Sequence, residues 1–245
     1  MALPPPGDDT IPLGIRRAAS RRLAALSAGC RETLEMAATL GAEFPLSLLT
    51  RAGDRSAESA LVALDEAVEA RIAVATSGEG SAWRFSHDLV REVLLAELPG
   101  PRRAALHRRA AEALEEVHQG HLAPVVPSLA YHYAQAAPLL EGDQAIDFAK
   151  WAGDLARGVS AYADAAAHYE GALRALDFRP KPDPRRRAEI LVSLGWALQS
   201  AGRTTRSREV LRDAAAVARA VGDPNLFALA ALGVAEFFVS LGNPA

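Results

Sequence analysis

The chain has 245 residues, which is enough to bury a sizeable core as one large domain or two small ones. Half of the residues are apolar but only 6% are aromatic, so we expect closely packed helices rather than a β-sandwich. The net charge of −3 excludes a general attraction to nucleic acid or to an anionic membrane. A single cysteine, no signal-peptide pattern and no membrane-length apolar run together predict a cytoplasmic protein without a disulfide.

Helix signals dominate the first part of the chain. Residues 1–14 are Pro-rich and are predicted to be a solvated lead-in to a first amphipathic helix. Ser27 is well placed to cap a second helix that ends at Gly41. Phe44 is predicted to belong to a short apolar helix around Pro45, and Ser56 to cap a third main helix.

A β-hairpin is predicted after the third helix. Residues 71–75 and 82–85 alternate apolar and polar side chains on either side of the turn-like stretch 77–81. Three helices followed by a hairpin is the winged-helix arrangement. We therefore assign residues 15–100 to a winged-helix domain.

The charge of the third helix argues against DNA recognition. Winged helices often lay this helix in the major groove, and phosphate contacts supply most of the affinity for nucleic acid. Here the helix carries four carboxylates and neither Lys nor Arg. The four are Glu58, Asp65, Glu66 and Glu69. We predict no direct nucleic-acid partner, which disfavours a DNA-binding repressor.

Paired helices are predicted from residue 101 to residue 245. Ser86 is placed to cap a helix that stops at Pro99-Gly100-Pro101, and the helical pattern continues from there. Small and large residues then recur at the offsets of a tetratricopeptide unit, and a third start at Gly233 is cut off. The first set is Gly153, Ala165, Tyr169 and Ala172, and the second is Gly195, Ser207, Leu211 and Ala214. The fold class is thus mostly α, a small winged helix followed by a tetratricopeptide-like array.

The same frame predicts a partner-binding surface. In such arrays the exposed face of the first helix of each unit lines the surface that binds partners. That face carries Asp147, Lys150, Asp154 and Arg157 in the first unit, and Glu189, Val192, Trp196 and Gln199 in the second. Its mixed charge suits a protein, a peptide or a small-molecule inducer. Trp196 is the strongest candidate, because an exposed Trp is costly without a partner.

No residue set predicts a catalytic or metal site. The histidines at 107, 118, 121 and 132 are joined by no cysteine and by no acidic cluster of matching spacing, so we expect no metal. A phosphate-binding Gly-x-x-x-x-Gly-Lys-Ser/Thr loop is missing from the sequence, and Ser86 lacks the context of a nucleophile. We expect this chain to be no enzyme and to hold no cofactor by itself.

Several stretches, in their order along the chain, carry a family resemblance. They are IPLGIR at 11–16, RLAALS at 22–27, ATLGAEF at 38–44, RFSHDLVRE at 84–92 and LHRR at 106–109. Together they resemble the middle of the large bacterial STAND regulators. Those are signal-transduction ATPases that include the LuxR-type and maltose-regulator-like transcriptional activators. The resemblance spans residues 11–176, and beyond that it rests on the repeat pattern.

The resemblance implies a regulatory segment. In that family a nucleotide-binding domain precedes the winged helix and the repeats, so ATP or ADP would belong to the full-length protein, and a neighbouring nucleotide-binding domain would be a partner. His87-Asp88 resembles the His-Asp pair of related nucleotide switches, whose His approaches the β-phosphate of ADP. A His that only caps or packs under the hairpin is the competing interpretation of His87. For the whole chain, the alternative is a free-standing tetratricopeptide scaffold or adaptor.

Overall fold

The computed structural model describes residues 13–76, 82–140 and 142–241. It is mostly helical, with a small three-stranded sheet and an array of helices. The chain divides into two compact units, Met1–His121 and Leu122–Ala245. The predicted Pro-rich stretch up to residue 12 and the hairpin turn at 77–81 lie outside the described residues. Among the helices of the described ranges, none has the length and apolar character needed to cross a membrane.

The first unit contains six helices and three strands among its described residues. In chain order they are α1 (Leu13–Ala24), α2 (Ala28–Leu40), β1 (Glu43–Pro45), α3 (Leu46–Gly53), α4 (Ala57–Glu69), β2 (Ala73–Ala75), β3 (Ala82–Phe85), α5 (Asp88–Glu97) and α6 (Gly100–Val117). The predicted order of helices followed by a hairpin is therefore present.

A strand that the sequence analysis missed completes the sheet. The strand order is β1-β3-β2, with both pairs antiparallel. Phe44 lies opposite Trp83 in β1, so its prediction as part of a helix was wrong. Its ring is buried and lies 5.8 Å from that of Phe85. Pairing with β3 and burial against this ring explain why Phe44 is extended, while the helix starts only after Pro45.

The predicted helix boundaries are confirmed where a side chain caps the helix. The Ser27 hydroxyl accepts from the Cys30 amide at 3.1 Å, and the Ser56 hydroxyl accepts from the Ser59 amide at 3.2 Å. Gly41 ends α2 with a φ of 151°, a conformation that favours glycine. In contrast, α5 begins one residue later than predicted, with His87 rather than Ser86 at its N-cap.

Helix α6 belongs to the core of the first unit. It packs against α2 and α3, and its Leu106 and Ala110 are buried. The compact units accordingly divide after His121, whereas the sequence pattern placed the division at Pro101. Helix α5 is fixed on the same core, because Nε of Arg91 donates to the carbonyl of Ala38 at 3.0 Å.

Within residues 122–140 and 142–241, the second unit contains helices and no strand. Two short 3-10 turns, Ala123–Val125 and Ala137–Leu139, flank its first helix. The helices are α7 (Val126–Ala136), α8 (Gln144–Gly158), α9 (Tyr162–Asp177), α10 (Pro184–Ser200), α11 (Thr204–Val221) and α12 (Pro224–Leu241). Helices α8 and α9 form one hairpin, α10 and α11 form the next, and α12 packs on α11.

In both hairpins the two helices pack closely at a glycine of the first helix. A Cβ atom added at Gly153 would lie 2.6 Å from the ring of Tyr169, and one added at Gly195 would lie 2.5 Å from the side chain of Leu211. In the second hairpin the Ser207 hydroxyl also donates to the Gly195 carbonyl at 2.8 Å. The predicted close approach of paired helices at these glycines is confirmed, because an added Cβ atom at either position would overlap the facing side chain.

Candidate functional site

Three of the predicted partner-binding residues on α8 form one charged cluster. Lys150 donates to Oδ2 of Asp154 at 2.9 Å, and the guanidinium of Arg157 lies 3.9 Å from Oδ1. Helical spacing places all three side chains on one face of α8. Two cations around one carboxylate leave a net positive charge, which suits an acidic group of a partner. We call Lys150, Asp154 and Arg157 the Asp154 cluster.

The cluster is anchored from beneath by Tyr169 of α9. The Tyr169 side chain is fully buried, and its hydroxyl donates to Oδ1 of Asp154 at 2.7 Å. Burial, reinforced by the hydrogen bond to Asp154, raises the pKa of Tyr169 to about 12, so the phenol keeps its proton at physiological pH. The residue that fills the hairpin next to Gly153 thus also orients the carboxylate that holds the surface cations.

Asp147, the remaining candidate on α8, has a partner within the protein. Its carboxylate forms an ion pair with Arg186 at the start of α10. Arg186 also binds Asp143 at 2.7 Å, and Arg179 binds the other oxygen of Asp143 at 3.2 Å. Asp147 therefore helps to join two successive hairpins, a role that sequence analysis missed. The sequence did contain a signal for this ion pair, namely the run Arg185-Arg186-Arg187 at a helix N-terminus. Cations are unfavourable at that end of a helix dipole, so acidic partners are expected close by.

The candidates on α10 lie along one helix but differ in exposure. Glu189 is half-buried and lies 3.7 Å from Arg185. Trp196 and Gln199 are half-buried, and Val192 is buried. Trp196 is less exposed than predicted, since its ring lies 3.3 Å from the position that a Cβ atom of Gly233 would take. Part of the indole is thus covered by α12.

An aromatic row on α7 and α8 was not predicted. The rings of Tyr133 and Phe148 stack with centroids 5.2 Å apart, and Phe148 stacks on Trp151 at 6.1 Å. Trp151 is 37% exposed, and Tyr131 on α7 is 52% exposed. The spacing of Phe148 and Trp151 on one helix face was visible in the sequence. Their pairing with α7 depended on the tertiary fold.

His87 occupies the N-cap position of α5 and is exposed. Its ring forms no capping hydrogen bond with the helix, which leaves the competing capping interpretation without support. Asp88 follows in the first turn, and it forms no ion pair with any other described residue. The free amides of a helix N-terminus attract an anion, and an exposed His at the cap is placed to approach one. The exposed carboxylate of Asp88 in the same turn weakens that attraction.

A separate cavity of about 210 Å³ lies among α2, α3, α4 and α6. Its wall includes Arg55, Arg102 and Arg109. Arg55 is paired with Glu32, and Arg102 binds Glu35 at 2.6 Å. These pairs neutralise most of the positive charge, so the cavity offers little to an anion.

The histidines are not assembled into a metal site. Over the ranges 13–76, 82–140 and 142–241, no three His, Cys, Asp or Glu side chains are grouped to hold a metal ion. His107 is buried in the first unit and His132 in the second, while Nδ1 of His118 lies 2.9 Å from the Leu114 carbonyl. Cys30 is buried, and its thiol donates to the Ala63 carbonyl at 3.2 Å. Burial raises its pKa to about 12, so the reactive thiolate is not formed at physiological pH.

No protein-family model matches the chain, and no curated protein matches it. Among solved structures, the chain is similar to a Signal Transduction ATPase with Numerous Domains (STAND) protein with a tetratricopeptide repeat sensor from Pyrococcus horikoshii. The identity is 13% and the TM-score 0.29, over 96% of this chain and 51% of the other. The chain thus spans about half the length of that protein.

Proposed function

We propose that this chain is the regulatory and protein-interaction segment of a STAND-type ATPase transcriptional regulator, of the LuxR or maltose-regulator-like kind. Its winged helix couples a neighbouring nucleotide-binding domain to a tetratricopeptide-like array. The array senses an inducer or a partner protein. The chain itself is not the enzyme, and ATP or ADP binds to the neighbouring domain.

The Asp154 cluster is the observation that carries this proposal. It is a charged surface held in a fixed arrangement by Tyr169, on the helix face that such arrays use for partners. Because the anchoring side chain is also the one that packs on Gly153, the surface is built into the repeat itself. A face of ordinary solvated charges would not need a buried phenol beneath it.

The first unit supports the winged-helix assignment. Helices α2, α3 and α4 with the strand order β1-β3-β2 follow the order expected of a winged helix, including the first strand that pairs with the hairpin. Three of the four carboxylates of α4, those of Glu58, Asp65 and Glu69, are exposed. This negative face opposes DNA binding.

The test of the coupling role uses the full-length protein that contains a nucleotide-binding domain. We expect His87→Ala to weaken ADP binding about tenfold, the loss of one charge-assisted hydrogen bond, and to raise basal activity. His121→Ala, at another exposed histidine, is the matched control. Unchanged ADP affinity in His87→Ala would remove the sensor role. If no phosphate-binding loop is encoded in the same gene, the scaffold alternative replaces the whole proposal.

A further inference from the structure

Helix α4 presents aliphatic side chains to solvent. Val62 is 65% exposed, Val68 41% and Leu61 39%, although a helix on a folded core normally turns such residues inwards. Its inner side is already occupied by the buried residues Ala60, Ala63, Leu64 and Ala67. Spacings of three and four residues place three exposed carboxylates on the same outer side as the aliphatic residues. The six residues that we call the α4 face are Glu58, Leu61, Val62, Asp65, Val68 and Glu69.

The α4 face carries negative charge without any counter-charge of its own. Residues 56–70 include neither Lys nor Arg. None of the carboxylates of Glu58, Asp65 and Glu69 forms an ion pair with another described residue. Glu66, the remaining acid of α4, is engaged by Ser27 instead. A partner that complements this face therefore combines aliphatic surface with positive charge.

Helix α1 of the same chain has that chemistry. Residues 10–31 contain no acidic side chain. The exposed arginines of α1 are Arg17, Arg21 and Arg22, and none of them forms an ion pair with another described residue. Glu97 of α5 reaches α1, but it accepts from Ser20 at 2.7 Å and pairs with Arg31 at 2.8 Å. The chain thus carries two exposed helices of opposite charge that are not paired with each other.

We propose that two copies of this chain bind each other, with α1 of each copy lying on the α4 face of the other. Within one copy α1 ends close to α4, because the amide of Ser27 donates to Glu66 at 2.6 Å. A two-fold axis between the copies therefore makes the same contact twice. The aliphatic stems of Arg17 and Arg21 cover the valines, and their guanidinium groups meet the carboxylates. This dimer is independent of the function proposed above.

Charge reversal on either helix tests the contact. We expect the unchanged chain to dimerise in sedimentation velocity over a micromolar concentration series, and added salt to weaken the dimer. Asp65→Arg combined with Glu69→Arg should raise the dissociation constant at least about tenfold, because arginines then face arginines. Arg17→Glu combined with Arg21→Glu should do the same, because carboxylates then face carboxylates.

Mixing the two reversed chains gives the decisive measurement. In a mixed pair each α1 again faces an α4 of opposite charge, so we expect a heterodimer where neither variant dimerises alone. All the substituted side chains are exposed, so both variants should melt at the temperature of the unchanged chain, which separates lost association from lost folding. Glu209→Arg combined with Asp213→Arg is the matched control. These exposed acids have the same four-residue spacing on α11, and their reversal should leave the dimer intact.

Three results would overturn the proposal. A chain that stays monomeric into the high micromolar range makes no such contact, and the α4 face would then have another occupant. A dimer that neither reversal weakens uses a different surface. Reversed chains that lose the dimer but do not associate when mixed would show that α1 and the α4 face do not meet.

Discussion

The hydroxyl of Tyr169 lies 2.7 Å from Oδ1 of Asp154 and donates a hydrogen bond to it. The tyrosine ring is packed in the interior of the α8–α9 hairpin, and the carboxylate reaches the surface. One side chain thus connects the packing of the repeat with the position of the Asp154 cluster. A change at this tyrosine should affect both stability and surface chemistry.

Tyr169→Phe tests this link. The ring still fills the space beside Gly153, but the carboxylate loses its buried donor, so we expect the free energy of unfolding to fall by about 1 kcal/mol. Urea denaturation at neutral pH measures the change. Tyr162→Phe is the matched control, because the Tyr162 hydroxyl makes only an exposed 3.3 Å hydrogen bond to Ser160. Equal effects of the two variants would contradict the anchoring role.

Gly153→Ala tests the close approach of α8 and α9. The added Cβ would lie 2.6 Å from the Tyr169 ring, and the enclosed ring has no free space to move into, so we expect a loss of about 1–3 kcal/mol. Gly171→Ala in α9 is the control. Its Cβ would meet only the end of the Arg174 side chain at 3.7 Å, and alanine should stabilise the helix by about 0.5–1 kcal/mol. A neutral Gly153→Ala would show that the helices can separate freely.

The first unit should lose stability in mild acid because of His107. Burial, together with Arg103 and Arg91, lowers its pKa from 6.5 to about 4. Both arginines are held by backbone carbonyls, so neither can move away from a protonated ring. Between pH 6.5 and about pH 4, His107 is protonated in the unfolded chain but stays neutral in the folded chain. The free energy of unfolding therefore decreases as the pH falls towards 4.

The total effect is on the order of 3 kcal/mol, most of it lost between pH 6 and about pH 4.5. Thermal melts of the chain at a series of pH values give the slope of stability against pH. His107→Gln should flatten this dependence, whereas His121→Gln, at an exposed ring, should leave it intact. A slope that persists in His107→Gln would assign the effect to other groups.

Arg186 should couple the α8–α9 hairpin to the start of α10. Its side chain is 20% exposed and binds both Asp143 and Asp147. We expect Arg186→Met to cost about 1 kcal/mol, and a double-mutant cycle with Asp147→Asn to give a coupling energy of about 0.5 kcal/mol or more. Arg206→Met breaks an ion pair in which both side chains are more than half exposed, and it should change little. Additive single effects in the cycle would rule out the coupling.

Helix α4 should not bind DNA. Three of its carboxylates face solvent, and Glu66 is engaged in two hydrogen bonds with Ser27, each 2.6 Å long. Titration of labelled duplex DNA with the chain at low salt should therefore give no submicromolar, salt-sensitive increase in anisotropy. Such binding would contradict this prediction and would support a DNA-binding repressor instead.

Local signals were read correctly from the sequence, and contacts between distant segments were not. The Ser27 and Ser56 caps lie next to the helices that they start, and Gly153 and Gly195 recur in one frame, so pattern alone was sufficient. Phe44 adopts the extended conformation because it pairs with Trp83, a partner that no local window contains.

The predicted partner-binding surface shows the same difference between local signals and long-range contacts. Helical spacing correctly grouped Lys150, Asp154 and Arg157, but it gave no means to see that Asp147 is held by Arg186 on another hairpin. The cover that α12 provides for Trp196 likewise depends on how successive hairpins stack. Periodicity identifies the face of a helix. Which neighbour covers that face is a property of the assembled array.

The carboxylate of Glu66 closes the N-terminus of α2 from a neighbouring helix, because it accepts hydrogen bonds from both the amide and the hydroxyl of Ser27. The Ser27 hydroxyl in turn accepts from the Cys30 amide. Removal of α4 would therefore take away the acceptor of the Ser27 amide and hydroxyl, and also the Ala63 carbonyl that accepts from the Cys30 thiol. In native-state hydrogen exchange, the amides of Ser27 and Cys30 should exchange together with those in the middle of α4, as one cooperative opening unit.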